Sequence, residues 1–340
     1  MTEPPGRGPA LKLSFPVSEA DRVFGPVPSR RLGRSLGINA IPSKTCSYAC
    51  VYCQAGRTTR LSIRRQAFAP LESITRLVGE RRTAAAQQGS PVDVITLVPE
   101  GEVTLDLELG ATIGGLRRFG LPIAILTNTS LIDDPAVQRA LAAADVVSLK
   151  FDAVDERIWH AVNRPHGGLS LPMILQDALA FSRRFTGRLL TETLLVRGIN
   201  DHEDHLQALA GYLALIDPDT AYLSAPIRPP AEPWARPPSP SRMLRAHQIL
   251  AGRVRRVEYL LGDEGTDFFA GADPVRSLLG IAGVHPIRRA AALKILRPCG
   301  APDTVLERLA AEGRLSAVRH RGQTFYLKAP TRSKPPPAAH

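Results

Sequence analysis

From about residue 23 to residue 263, short apolar runs alternate with longer stretches of helical periodicity, and this alternation restricts the possible folds more than any other feature. Strand-length runs fall at residues 36–41, 92–98, 122–126, 146–151, 189–196 and 220–225. Helical patterns at 71–86, 105–119, 135–144, 171–185 and 202–216 separate them, the third behind an Asp133-Asp134 cap. Spacing of this kind predicts parallel βαβ units, hence an α/β fold. Six such units are visible, fewer than a full barrel holds. The expected architecture is therefore a partial, TIM-like (β/α)6 barrel.

The loop after the first run carries Cys46, Cys50 and Cys53 in CxxxCxxC spacing, and the remaining cysteine, Cys299, lies far away. A secreted disulfide scaffold is normally shorter and richer in cysteine. Clustered thiols in a reducing compartment more often hold a metal. Three thiolates from one loop can cap three irons of a cubane [4Fe–4S] cluster and leave the fourth iron open to a small molecule. Two other readings fit the same residues: a structural zinc site with Cys299 as fourth ligand, and a ferredoxin-like electron carrier. No run of about 18 apolar residues suggests a membrane span, and the first residues carry no apolar signal region. A cytoplasmic location is expected.

Beyond the barrel pattern, the proline-rich stretch 226–240 can continue neither helix nor central strand, and reads as an ordered lid or a flexible connector. After about residue 265 the pattern changes. Helices are expected at 286–296 and 303–312, the second with Val305, Leu306 and Leu309 on one face and Gly313 as its stop. Short strands follow at 315–318 and 323–327 about a turn at 319–322. Helix, helix, basic hairpin is a winged-helix pattern. The expected division is a lead-in at 1–22, a barrel at 23–265, a winged-helix domain at 270–329 and a disordered tail at 330–340. Of the net charge of +11, +6 falls within residues 285–328. That places Arg319, His320 and Arg321 where a wing tip would contact phosphate. The same module could instead dock a peptide or protein, or simply pack against the barrel.

The stretch 24–39, FGPVPSRRLGRSLGIN, followed by Cys46-Ser-Tyr-Ala-Cys50-Val-Tyr-Cys53-Gln54, resembles the radical S-adenosylmethionine (SAM) superfamily. Within it, the similarity is to iron–sulfur oxidoreductases distantly related to the tRNA wybutosine-synthesis enzymes, and it spans about residues 23–328. The resemblance implies a single [4Fe–4S] cluster on Cys46, Cys50 and Cys53. It also implies reductive cleavage of SAM to a 5′-deoxyadenosyl radical, and a reducing partner such as flavodoxin or ferredoxin.

Residue roles follow by position. Tyr52 stands where the family has an aromatic beside the adenine. Gly101 and Glu102, in Pro99-Glu-Gly-Glu-Val-Thr-Leu105, match the segment that holds the methionine amino group, with Glu100 as the alternative carboxylate and Val103 where proline is frequent. Asn128, Ser148, Lys150, Asp152 and Glu192 lie at strand ends facing the ligand mouth. Ser148 and Lys150 alternate with apolar neighbours and so share a face. Lys150 either pairs with Glu192 or Asp152 or binds an anionic group of SAM or substrate. Arg164 and Arg228 are anion binders or loop anchors, and His202 and His205 read as a solvated helix start. The implied function is modification of an RNA, tRNA in particular. The alternatives are a peptide-modifying radical enzyme that docks its substrate on the winged helix, an enzyme acting on a small molecule, and a non-catalytic, zinc-stabilised DNA-binding protein.

Overall fold

The structure, a computed structural model, describes residues 19–261, 268–270, 273–297 and 304–329. Cys299, the last residues and most of the expected lead-in lie outside them. The chain enters as a hairpin, β1 (Val23–Ser29) antiparallel to β2 (Gly33–Ile38). The loop that follows carries the short pair β3 (Thr45–Cys46) and β4 (Arg60–Leu61). Strands and helices then alternate: α1 (Leu71–Gln87), β5 (Val94–Leu97), α2 (Leu109–Leu116), β6 (Ile123–Thr127), α3 (Pro135–Ala142), β7 (Val146–Lys150), α4 (Glu156–Asn163), α5 (Leu171–Ser182), β8 (Arg188–Leu194), α6 (Glu203–Ile216), β9 (Thr220–Ser224), α7 (Pro240–Ala251) and β10 (Val257–Tyr259). The sheet order is β1-β2-β5-β6-β7-β8-β9-β10, and every pair from β2 to β10 is parallel. It is a mostly parallel α/β sheet of the partial-barrel kind.

Strand alternation sets two cores. Outward-facing residues such as Ile95, Ile123, Ile125, Val147 and Leu149 pack with the helices, which supply Ile74, Ile113, Val137, Leu209 and Leu213, all buried. Inward-facing Val94, Ala124, Val146, Leu190 and Tyr222, with Leu260, form a separate apolar floor against which Leu32 packs. Above that floor the inward positions turn polar. Ser35 Oγ lies 2.7 Å from Thr96 Oγ1, and Ser148 and Glu192 occupy the same inward face of their strands. An apolar floor beneath a polar interior makes a one-ended cavity that opens at the carboxyl ends of the strands.

Two expectations need correction. The sheet has a seventh parallel strand, β10, so the six-unit count is one short among the described residues. Its three residues are too few to register as a hydrophobic period. The helix expected over 105–119 begins only at Leu109. Asp106 interrupts it: its Oδ1 accepts from Glu108 N–H at 3.0 Å, and its carbonyl accepts from Arg65 at 3.0 Å.

The C-terminal segment builds a smaller cluster on the β1 edge. It comprises α8 (Pro274–Val284), β11 (Ile287–Arg288), α9 (Arg289–Leu296), α10 (Val305–Ala311), β12 (Leu315–His320) and β13 (Gln323–Lys328), with an antiparallel sheet in the order β11-β13-β12. The turn at Arg321 and Gly322 has positive φ at both residues, +49° and +79°, as a tight hairpin requires. Leu278, Ile281, Ile295 and Leu306 form its core together with Phe24 from β1. Phe24 lies over Gly37, where a Cβ would sit 2.1 Å from the ring, so only glycine admits it. Lys328 Nζ also pairs with Asp21 at 2.9 Å.

Candidate active site

The cysteine loop is held from three sides. Segment 162–166 runs along it: Val51 N–H donates to Val162 O at 3.0 Å, and His166 N–H to Ser47 O at 2.9 Å. The loop after β5 presses on it from another side. Glu102 N–H donates to Thr45 O at 3.2 Å, and a Cβ on Gly101 would fall 1.8 Å from that carbonyl. Gly101 is thus required by contact between two backbones. The proline-rich stretch 226–240 closes the third side. Glu232 N–H donates to Val51 O at 2.8 Å, and Ala235 is buried against Val51, Tyr52 and Val162. Of the two readings of that stretch, ordered lid or flexible connector, the packing fits the ordered one.

Two amides point at thiols. Asn128 Nδ2 lies 3.5 Å from Cys46 Sγ and 2.8 Å from Ser47 Oγ, and Asn163 Nδ2 lies 3.3 Å from Cys50 Sγ. Burial pushes the Cys46 thiol well up, with Glu102 and Cys50 adding to it, and pushes Cys50 up to about 12. Ligation at such thiols releases protons and needs a cationic centre to stabilise the thiolates. Among the described residues, no three His, Cys, Asp or Glu side chains are grouped to hold one metal ion.

Glu102 is buried, and its carboxylate accepts from Thr104 N–H (3.0 Å), Thr104 Oγ1 (2.6 Å), Thr127 Oγ1 (2.5 Å) and Asn128 N–H (2.7 Å). Burial still leaves its pKa above the ordinary value, the four donors opposing it. The carboxylate ties the β5 loop to the end of β6. Glu100 is also buried, and bonds Asn39 at 3.2 Å and the Ser43 hydroxyl.

Deeper in the mouth, the other expected residues form one network. Lys150 Nζ lies 3.4 Å from Asp152 Oδ1 and 3.4 Å from Glu192 Oε1, and 5.1 Å from the Tyr52 ring centroid. Burial opposes its charge, but the two carboxylates outweigh burial and raise its pKa. Tyr52 OH bonds Asp152, which also accepts from Asn163 Nδ2 at 2.7 Å and Leu194 N–H at 2.8 Å. Glu192 pairs with Arg31 and accepts from Ser224 Oγ at 3.1 Å. Burial of Glu192 is outweighed by Lys150 and Arg31, which hold it well below the carboxylate range. Ser148 is buried one step beneath Lys150. Above this network lies a cavity of about 330 Å³, walled by Cys53, Gln54, Lys150, Glu192, Arg228 and His285 among others.

Arg164 and Arg228 behave as loop anchors here: Arg164 pairs with Glu232 at 2.7 Å, and Arg228 donates to Gln54 Oε1 at 2.5 Å. The solvated reading of the histidine pair holds for His202 alone. His205 is buried, its Nε2 3.3 Å from the carbonyl of Asp152, because α6 turns that position toward the β7 exit loop. Arg31, Asn163, Thr127 and His285 were not singled out from the sequence. Arg31 lay in plain view within the family-like stretch 24–39, but only folding brings it to Glu192.

Residues 40–210 match the radical SAM superfamily. A UPF0026 protein of Methanocaldococcus jannaschii is 39% identical over 308 residues, covering 90% of this chain and 95% of its own. The chain belongs to the radical SAM superfamily. A UPF0026 protein of Synechocystis is 37% identical over 223 residues, covering 64% of this chain and 78% of its own. Among solved structures, TYW1 with a lysine–pyruvate adduct bound is similar in fold, with a TM-score of 0.51 at 14% identity over 66% of this chain and 76% of that one. Membership marks this radical SAM protein as an enzyme, and the family implies a [4Fe–4S] cluster and SAM. The donor set fits such a group: three thiols on one loop, amide donors on two of them, and the third beside a cavity. No helix among the described residues is long and apolar enough to cross a membrane.

Proposed function

We propose that this radical SAM protein holds a [4Fe–4S] cluster on Cys46, Cys50 and Cys53, cleaves SAM reductively, and uses the radical to modify an RNA, tRNA in particular. When bound, the cluster supplies the electron that breaks a sulfur–carbon bond of SAM and yields a 5′-deoxyadenosyl radical. The observation that carries this reading is the cavity wall, to which Cys53 and Lys150 both contribute.

The chain's own residues have separable tasks. Asn128 and Asn163 orient Cys46 and Cys50. Lys150, kept cationic by Asp152 and Glu192, is the group that meets a ligand carboxylate. Tyr52, locked by Asp152, forms the wall beside the adenine. Glu102 is saturated by four donors, so its part is to fix the β5 loop, with Gly101, against the cysteine loop. The ordered 226–240 stretch keeps water from the loop. The RNA reading draws on the C-terminal module, which we interpret as a winged helix. Its hairpin carries Arg319, His320 and Arg321 beside the turn at Gly322.

Anaerobic reconstitution with iron and sulfide, reduction with dithionite and addition of SAM tests the chemistry, with Cys53→Ala as control. Cluster-dependent 5′-deoxyadenosine is the expected result. Stoichiometric zinc, no cluster and intact SAM would remove the proposal in favour of a zinc protein. The RNA arm is read by tRNA binding, expected to weaken steeply with salt. Binding unchanged by an Arg319→Glu, Arg321→Glu variant would count against it.

A further inference from the structure

The outer side of the cysteine loop is strongly basic. Residues 54–66, 160–168 and 226–240, the three segments that flank it, contain seven arginines and one carboxylate, Glu232; Arg65 turns inward to Asp134 at 2.8 Å and Arg228 lines the cavity, which leaves Arg57, Arg60, Arg64, Arg164 and Arg236 for the outer side. Glu232 is shared by Arg57 and Arg164, at 2.9 and 2.7 Å. Arg60, Arg64 and Arg236 are exposed and hold no side-chain partner among the described residues. All are close to the loop in connectivity. Arg60 sits in β4, paired with β3, and Ser62 N–H donates to Cys46 O at 2.9 Å. Arg236 follows Ala235, which is buried against Val51. In the midst of these charges Trp234 is 49% exposed, with the Arg164 guanidinium 6.0 Å from its ring centroid. Arg164 is the neighbour of Asn163, whose amide touches Cys50 Sγ at 3.3 Å. The surface therefore lies one residue from a cluster thiol.

We propose that this face docks a small acidic one-electron carrier protein, of the flavodoxin or ferredoxin class. The inference rests on the reading that Cys46, Cys50 and Cys53 hold a redox cluster. In the step it serves, the reduced carrier loses one electron and the cluster gains it; no atom is transferred. The geometry favours a protein carrier over RNA at this face. An RNA must insert a residue into the cavity, whose wall is formed by Arg228 and His285. Neither Arg60, Arg64 nor Arg236 lines that cavity. Electron delivery needs only nearness to a thiol, and a carrier on the outer face leaves the cavity mouth open to substrate. Clustered exposed cations of one sign steer an acidic partner and set its orientation.

The test uses the full-length, reconstituted protein and its triple variant Arg60→Glu, Arg64→Glu, Arg236→Glu. Binding of flavodoxin, and separately of a [2Fe–2S] ferredoxin, is measured by calorimetry at low and high salt. Formation of 5′-deoxyadenosine is compared with flavodoxin hydroquinone and with dithionite as reductant. The expected result is binding weakened roughly 10-fold or more at low salt, with the difference shrinking as salt rises. Turnover should fall with the protein donor and hold with dithionite. Equal binding and equal donor-driven rates in both proteins would overturn the proposal. So would a variant that loses affinity for tRNA while keeping its affinity for both carriers, which would assign the face to nucleic acid. A wild-type protein that makes no 5′-deoxyadenosine with dithionite would instead defeat the cluster reading, and calorimetry reports on the surface independently of that outcome.

Discussion

Glu192 concentrates the electrostatics of the cavity in one carboxylate, set between Arg31 and Lys150 with Ser224 as a further donor. Removing one member of a buried charge group leaves its partners uncompensated, at a cost of several kcal/mol when fully buried. The Glu192 side chain is 20% exposed, so Glu192→Gln is expected to cost about 2–3 kcal/mol, read as a lower urea midpoint; an unchanged midpoint would show that the charges are solvated. Its depressed pKa contributes stability that is present at neutral pH and lost only as pH falls into the acid range. Asp106 has the opposite sign. Burial pushes its carboxyl up to about 6, so the folded chain binds the proton more tightly than the unfolded one, and stability from this group falls as pH rises through about 6. Asp106→Asn keeps an acceptor for Glu108 N–H and removes the charge. It is expected to raise the melting temperature at pH 8 by about 2–4 °C and to lose most of that gain at about pH 4, near the ordinary carboxylate value; equal gains at both values would rule out the carboxyl as the cause. Of these two residues, Glu192 could be picked out in the sequence as an inward strand residue. Asp106 could not, because its burial depends on Arg65 and Gln66 arriving from forty positions upstream.

At the scale of elements, the cysteine loop is the part of the molecule least able to stand alone. It has almost no regular structure, and it is shaped by the β5 exit loop, segment 162–166 and the 226–240 stretch. The tightest of these contacts is at Gly101. Gly101→Ala forces a methyl to within 1.8 Å of the Thr45 carbonyl, and neither backbone can yield without moving Cys46. Overpacking of this sort costs roughly 1–3 kcal/mol. The expected phenotype is a protein that still folds by circular dichroism but incorporates much less iron and sulfide; full incorporation would mean that the two loops can separate without moving the thiols. The CxxxCxxC spacing was readable because it is local. The supporting amides were partly so: Asn128 follows a strand end, whereas Asn163 ends an eight-residue helix, α4, that the apolar pattern did not reveal. The helix expected at 105–119 was overextended for a related reason, since a buried aspartate and a loop contact can break a periodicity that the residues themselves continue.

At the scale of the whole molecule, Phe24 joins the barrel to the C-terminal module. It leaves β1, crosses Gly37 and enters the core formed by Leu278, Ile281 and Leu306. Phe24→Ala removes a ring that is 3% exposed and is expected to cost about 3–5 kcal/mol. Because the module also supplies Val284 and His285 to the cavity wall, limited proteolysis should cut the variant first within residues 268–297; a digestion pattern identical to wild type would mean that the module is held by other contacts. The sequence by itself determined the parallel α/β architecture, the three candidate ligands and the basic hairpin, because each is written in local periodicity or spacing. Tertiary structure alone decided the rest. It brought Arg31 across the sheet opening to Glu192, set the Thr127 hydroxyl and the Asn128 N–H on the Glu102 carboxylate, buried His205, and set a C-terminal histidine in the wall of an N-terminal barrel. Each of these depends on contacts between residues dozens to hundreds of positions apart, and a chain's local pattern carries no record of which distant groups will meet.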